Sequence, residues 1–213
     1  MGWGSAEFSG QTSFDSHFLT QNVVYFASSG DSPGTSWPAT SANVVAVGGV
    51  SISRSMSTLS FLHLASWSEA GSGVSSIVPR PSYQASIATI VGTIRAVPDI
   101  AADANPETGA WVYDSGNGGW YIVGGTSLAS PTVAGITNAS NSFASSTNAE
   151  LTKIYGNKAS NPSAFGCTPE LLEAAVSSAI RSRCRILTVG EALVEIGVQN
   201  GNPKGQTRWY VPA

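Results

Sequence analysis

Gly124-Gly125-Thr126-Ser127-Leu128-Ala129-Ser130-Pro131 decides the reading of this chain. The apolar run Trp120-Tyr121-Ile122-Val123 enters it and predicts a strand. Residues 132–140 leave it and predict a helix, with Val133, Ala134, Ile136 and Thr137 on a mixed apolar face. Two glycines permit a tight turn with exposed backbone. Ser127 then falls at the helix N-cap, and Pro131 in the first turn, where a missing N–H is harmless. Two roles are open to Ser127 on these residues alone. It can cap the helix, as serines commonly do. It can also be a nucleophile, because a hydroxyl at a strand-to-helix turn meets the positive end of the helix dipole.

Working outward, residues 22–27 (Asn-Val-Val-Tyr-Phe-Ala) form a continuous apolar run and predict a buried strand. It ends in Ser28-Ser29-Gly30-Asp31-Ser32. A short helix is predicted before it, over 12–20, capped by Thr12 or Ser13 with Phe14 and Phe18 on one face. Helix followed by strand, repeated, argues for a parallel sheet with right-handed crossovers. Functional residues in such sheets gather at the carboxyl ends of strands, where Asp31 falls. By itself, an Asp after Gly reads as a turn residue.

The string from Gly124 to Pro131, followed by Val133-Ala134-Gly135, resembles the nucleophile segment of the subtilisin-like clan of serine peptidases. The doubled glycine favours the sedolisin, or serine-carboxyl peptidase, branch. Ala27-Ser28-Ser29-Gly30-Asp31-Ser32 resembles the sedolisin segment that carries the oxyanion-hole aspartate, although Pro33 stands where the family has Gly. The resemblance covers roughly residues 2–165. It implies an α/β fold: a subtilisin-like parallel sheet flanked by helices in three layers. It implies an extracellular, acid-active serine endopeptidase that cleaves proteins or peptides through an acyl-enzyme on Ser127, with Asp31 as oxyanion donor. Subtilisins use Asn in that place, whose amide N–H stabilises the oxyanion. An ionised Asp only accepts hydrogen bonds. Asp31 can serve only when neutral, so either burial keeps it protonated or the reaction runs in acid.

The resemblance implies substrate-binding roles as well. Gly2-Trp3-Gly4 is similar to the family's Ser-Trp-Gly segment, an extended stretch that pairs with the substrate backbone. Gly30 and Thr126 are implied as further substrate-binding residues. The Glu and Asp that act in the family as base and orienting acid lie on an earlier helix, which would precede residue 1. On this reading the domain is N-terminally truncated, and none of its residues takes those roles. The competing reading is a catalytically inactive fragment or peptide-binding remnant. A subtilisin with a histidine base needs a His-Gly-Thr context, and neither His17 nor His63 has one.

The rest of the chain supplies scaffold. Residues 44–47 predict a strand that Gly48-Gly49 ends, residues 51–67 a surface hairpin packed by Phe61, Leu64 and Trp67, and residues 69–75 a Gly/Ser-rich loop. Asp99 and Asp103, beside Pro98, are read as holding sheet and groove rather than a metal. Trp111 to Asp114 and Trp120 to Val123 flank a Gly/Asn turn and predict a hairpin. Residues 146–155 predict a helix capped at Thr147-Asn148, with Ala149, Leu151, Ile154 and Tyr155 on its apolar face.

At about residue 166 the character changes. Charged residues number 14 before residue 167 and 9 in the 47 positions from there on, and Cys167 and Cys184 both lie in that tail. We read 1–165 as a partial peptidase domain and 166–213 as a divergent tail, with a helix possible over 171–185. The family's calcium motif is not found there, and Glu191 and Glu195 lack calcium-loop spacing, so no metal or other cofactor is expected. Two cysteines alone make no zinc framework. The net charge of −3 gives no basic excess for nucleic acid or lipid. No apolar run spans a membrane, and the first residues lack a signal-peptide pattern. Charged residues are 11% of the chain, against about 25% in ordinary globular proteins. A surface of Ser, Thr, Asn and Gly resists acid self-repulsion, which fits acidic working conditions.

Overall fold

The computed structural model describes residues 1–55, 57–58, 61–141 and 143–160. The tail over 166–213, with its candidate helix and both cysteines, lies outside the described residues, as does the side chain of His63. The elements are β1 (Phe26–Ser28), β2 (Val45–Arg54), β3 (Phe61–Ser66), β4 (Gly73–Pro79), α1 (Ala88–Val91), β5 (Ile94–Val97), β6 (Ile100–Asp103), β7 (Ala110–Asp114), β8 (Gly119–Val123), α2 (Thr126–Ala139) and α3 (Thr147–Ser160). Short 3-10 helices cover Gln11–Phe18, Ser82–Ile87 and Ser115–Asn117.

The ten-residue β2 is the axis. It pairs in parallel with β1 (Phe26 opposite Val45) and with β6 (Val47 opposite Ile100), and antiparallel with β3 (Val50 opposite Ser66). Its apolar start is buried on both sides, as parallel sheets require. Val45 and Val47 join Phe26, Ile100 and Ala102 on one face, where α2 supplies Ala129 and Val133 and α3 supplies Leu151 and Tyr155. Val44 and Ala46 join Ala27 in a second cluster with Phe18, Ala39 and Val97. Each buried valine contributes about 1.5–3 kcal/mol. The result is the expected α/β arrangement, a parallel sheet flanked by helices.

Several element boundaries differ from the sequence reading. The strand expected over 22–27 is shorter: Asn22 has φ of 60° and Val23 is exposed, so pairing starts at Phe26. The first helix is a 3-10 helix after Gly10, with no side-chain cap, and only Phe18 of its two phenylalanines is buried. Gly48 and Gly49 do not end β2 but lie inside it, because neighbours press on the strand there. A Cβ on Gly48 would sit 2.5 Å from Pro98 Cγ. The hairpin over 111–123 and the helix beginning near 147 form as expected.

A buried ion pair locks these pieces together. Arg95 Nη1 and Nη2 donate to Asp99 Oδ1 and Oδ2, each at 2.6 Å, and both side chains are fully buried. Asp99 also accepts from the Ala46 N–H at 2.8 Å and the Tyr155 hydroxyl at 2.7 Å. Gln84 pairs with both Ala96 backbone groups and reaches Tyr155 Oη at 2.7 Å. One carboxylate thus ties β2, the turn after β5 and α3. Burial pushes the Asp99 carboxyl up, but the Arg95 charge and the donors from Arg95, Ala46 and Tyr155 outweigh it and hold its pKa below the ordinary value. A depressed carboxyl stabilises the fold above its unfolded pKa and loses that contribution as pH falls through its folded one.

Asp99→Asn leaves the Arg95 guanidinium buried without its counter-charge. Urea denaturation at neutral pH is expected to show a loss of about 3–5 kcal/mol. A loss under about 1 kcal/mol, the range of an exposed pair, would show that the pair does not hold the sheet.

Candidate active site

The turn that carries Ser127 is built against Asp31. Helix α2 starts at Thr126, and Gly125, with φ of 82° and ψ of 163°, stands at its N-cap. Ser127 is therefore in the first turn rather than at the cap, and Pro131 lies within the helix, two residues further in than its sequence context suggested. Glycine has no side chain with which to cap, so the free N–H at the helix start is met from elsewhere. Asp31 Oδ1 accepts from the Thr126 N–H and from Thr126 Oγ1, each at 2.7 Å. Thr126 Oγ1 in turn accepts from the Gly30 N–H at 3.1 Å. A Cβ on Gly125 would sit 2.5 Å from Asp31 Oδ2, so only glycine lets the carboxyl come this close.

Ser127 is exposed, and its Oγ donates to the Gly2 carbonyl oxygen at 2.8 Å. Among the described residues, no Asp, Glu or His side chain hydrogen-bonds to it. Met1 lies alongside β1: its amino group donates to the Phe26 carbonyl at 2.6 Å, and its carbonyl accepts from the Ser28 N–H at 2.9 Å. Burial lowers the pKa of that amino group. Ser5 and Trp37 then exchange both backbone hydrogen bonds. Gly4 lies against Ser36 and the Trp37 carbonyl, and Trp3 leans exposed against Trp37 with ring centroids 5.9 Å apart. The structure thus brings Gly2, Gly30, Asp31, Thr126 and Ser127 together, with Gly4 alongside and the Trp3 side chain at the rim.

The sequence reading missed Glu7, the one charged side chain in residues 1–8. Its carboxylate accepts from Gln11 Nε2 at 3.0 Å, Thr35 Oγ1 at 2.9 Å and the Ser76 N–H at 2.9 Å, and from the hydroxyls of Ser75 and Ser76. It pins the segment that delivers Gly2 to Ser127 onto β4 and the loop at Thr35. Partial burial raises the Glu7 pKa, but the donors from Ser75, Ser76, Thr35 and Gln11 outweigh it and hold it below the ordinary value. A solitary acid in a Gly-, Ser- and aromatic-rich segment was the available signal. Opposite, the Gly71 N–H donates to the Gly30 carbonyl at 2.8 Å and Ser72 bridges Gly34, which places the Gly/Ser loop beside the Asp31 turn. Asp99 and Asp103 hold scaffold, Asp103 accepting from Thr108 Oγ1 at 2.7 Å. Among the described residues, no three His, Cys, Asp or Glu side chains are grouped to hold a metal ion. No described helix is long and apolar enough to cross a membrane.

No protein-family model matches the chain. Over 117 residues, half of this chain and 19% of the relative, it is 36% identical to the curated sedolisin of Pseudomonas sp. (strain 101). The fold also matches the solved structure of Pseudomonas sedolisin, a serine-carboxyl proteinase complexed with two molecules of pseudo-iodotyrostatin. That match has a TM-score of 0.55 and 30% identity, covering 67% of this chain and 45% of that one. An S41 psychrophilic protease aligns at 21% identity with a TM-score of 0.44, over 76% of this chain and 48% of that one. The fold is that of the subtilisin-like α/β proteins. Over the part that it matches, the chain is related to the sedolisin family, and it spans less than half the length of these relatives.

The depressed Glu7 carboxyl fixes the sign of a pH effect. Its stabilisation is present above its ordinary pKa of 4.5 and is lost as pH falls through the lower folded value. Glu7→Gln is therefore expected to lower Tm at neutral pH, with the gap to the parent closing in acid. A gap that persists unchanged into strong acid would rule out the ionised carboxylate as the source.

Proposed function

We propose that this chain carries the acyl-transfer part of an acid-active serine-carboxyl endopeptidase acting on proteins or peptides. The observation that supports it most is the clamp on Asp31. Two hydrogen bonds from Thr126 hold a carboxyl group against the turn whose next residue is the exposed Ser127. Ser127 Oγ attacks the peptide carbonyl carbon, and the acyl group passes to the serine as the amine leaves. Asp31, while protonated, donates to the oxygen on which negative charge develops. Gly2 and Gly4 offer backbone for an extended substrate strand, with Trp3 at its edge. The Ser127 proton needs a base, and that base comes from outside the described residues.

A second reading is a peptide-holding domain without turnover. One contact favours it: Ser127 Oγ donates to the Gly2 carbonyl, not to a carboxylate. A carbonyl oxygen orients a hydroxyl but does not take its proton.

Hydrolysis of an unfolded protein at about pH 4 separates the two, since that acidity keeps much of an ordinary carboxyl neutral. The endopeptidase reading expects cleavage that Ser127→Ala abolishes and that Asp31→Ala reduces by about a hundredfold or more. Peptide binding with no cleavage by the parent chain or by Ser127→Ala would establish the second reading instead.

A further inference from the structure

We propose that Thr126 is a positioning residue that decides which oxygen of Asp31 carries the proton. The inference rests on the roles given above to Ser127 and Asp31; the resemblance implied a substrate contact for Thr126, but its side chain is fully buried and acts through Asp31 instead.

One fully buried hydroxyl fixes the direction of the hydrogen bonds around it. Thr126 is inaccessible to solvent. The Gly30 N–H can only donate, and it points at Thr126 Oγ1 at 3.1 Å. With that oxygen accepting from Gly30, the hydroxyl proton goes to Asp31 Oδ1 at 2.7 Å. The Thr126 N–H, which can also only donate, meets the same Oδ1 at 2.7 Å. An oxygen receiving two hydrogen bonds is the carbonyl oxygen of a neutral carboxyl group. A proton placed on Oδ1 would confront the Thr126 N–H and leave the threonine hydroxyl proton without an acceptor.

Neutral Asp31 therefore carries its proton on Oδ2. That oxygen lies over Gly125, where a Cβ would come within 2.5 Å, so the glycine leaves room beside the O–H. The bearing of the Oδ2–H is set by the chain Gly30 N–H to Thr126 Oγ1–H to Asp31 Oδ1. The proton stays on Oδ2, which donates a hydrogen bond to the acyl oxygen of a peptide bound at Ser127. The same device accommodates an amide in place of the carboxyl. An asparagine at position 31 would place its carbonyl oxygen at the two Thr126 donors and its N–H group where Oδ2–H stands.

A peptide aldehyde tests this, because the serine hydroxyl adds to its carbonyl carbon and the serine proton ends on the hemiacetal oxygen. The matching peptide alcohol binds without forming that adduct. The ratio of the two affinities at about pH 4, where much of an ordinary carboxyl is neutral, reads adduct formation at Ser127 together with the contact its oxygen makes to Asp31. Variants at Thr126 leave the serine in place and so report on that contact. In Thr126→Val, which keeps the shape and loses the hydroxyl, the aldehyde preference is expected to fall about tenfold, the effect of one lost hydrogen bond. Thr126→Ser should restore it, and alcohol affinity should stay level throughout. Full preference in Thr126→Val, or equal losses in both variants, would overturn the proposal.

Asp31→Asn provides a second variant should Thr126→Val fail to fold. It is expected to keep its aldehyde preference from acid to about neutral pH, since an amide N–H donates in every condition. Loss of that preference at all pH values would contradict the pinning of Oδ1. If the parent chain shows no aldehyde preference that Ser127→Ala removes, the reading of Ser127 and Asp31 falls first, and this inference falls with it.

Discussion

A guanidinium and a carboxylate, both removed from water, constrain the rest of this structure. Charges buried this deeply are tolerated only when paired and hydrogen-bonded. Asp99 meets that demand with two contacts to Arg95, one to the Ala46 N–H and one to Tyr155. Those partners belong to β5, the start of β2 and α3, so these elements and the turn that carries Asp99 cannot shift independently. The start of β2 carries β1 on one pairing and β6 on another. The Ser29 N–H continues the β1 pairing to the Val47 carbonyl at 2.9 Å and so aims the Asp31 turn. The Gly125 N–H donates to the Ala104 carbonyl at 2.6 Å, while the Ala104 N–H donates to that of Val50 at 2.9 Å. Both halves of the candidate site hang from the strands that this ion pair fixes.

Asp31 joins the two halves directly. A helix with glycine at its N-cap has unpaired N–H groups and no cap side chain to meet them. Here the cap comes from a residue ninety-five positions earlier in the chain. A carboxyl at a helix N-terminus is favoured by the dipole when ionised, and its carbonyl-type oxygen still accepts when neutral. The clamp at Oδ1 therefore serves structure in both protonation states, while Oδ2 remains available for chemistry. One residue can hold the nucleophile turn and act beside it.

The legible parts of the sequence were those with a local cause. The apolar runs at 44–47 and 120–123 and the paired strands around the Gly/Asn turn need nothing distant to declare themselves. Ser127 and Asp31 were legible through their surroundings in the string, not through any spacing between them. What stayed hidden was non-local. Glu7 is unremarkable until Ser75 and Ser76 fold against it. Asp99 gave no sign that its partner was Arg95 or that Tyr155 would reach it from α3. Gly48-Gly49 read as a strand end, because nothing adjacent in sequence announces that Pro98, Ala104 and Trp67 crowd the strand from outside. The N-cap was assigned to Ser127 because the real cap lies in another segment.

The central claim is that Asp31 and Ser127 act on one carbonyl group. A crystal structure of the protein grown with a peptide aldehyde at about pH 4, where much of an ordinary carboxyl is neutral, tests it most directly. The account predicts continuous density from Ser127 Oγ to the aldehyde carbon. The former carbonyl oxygen should stand about 2.7 Å from Asp31 Oδ2, the usual O–H···O distance, with Oδ1 still held by Thr126. An aldehyde bound with no bond to Ser127, or an adduct whose oxygen turns away from Asp31, would contradict it.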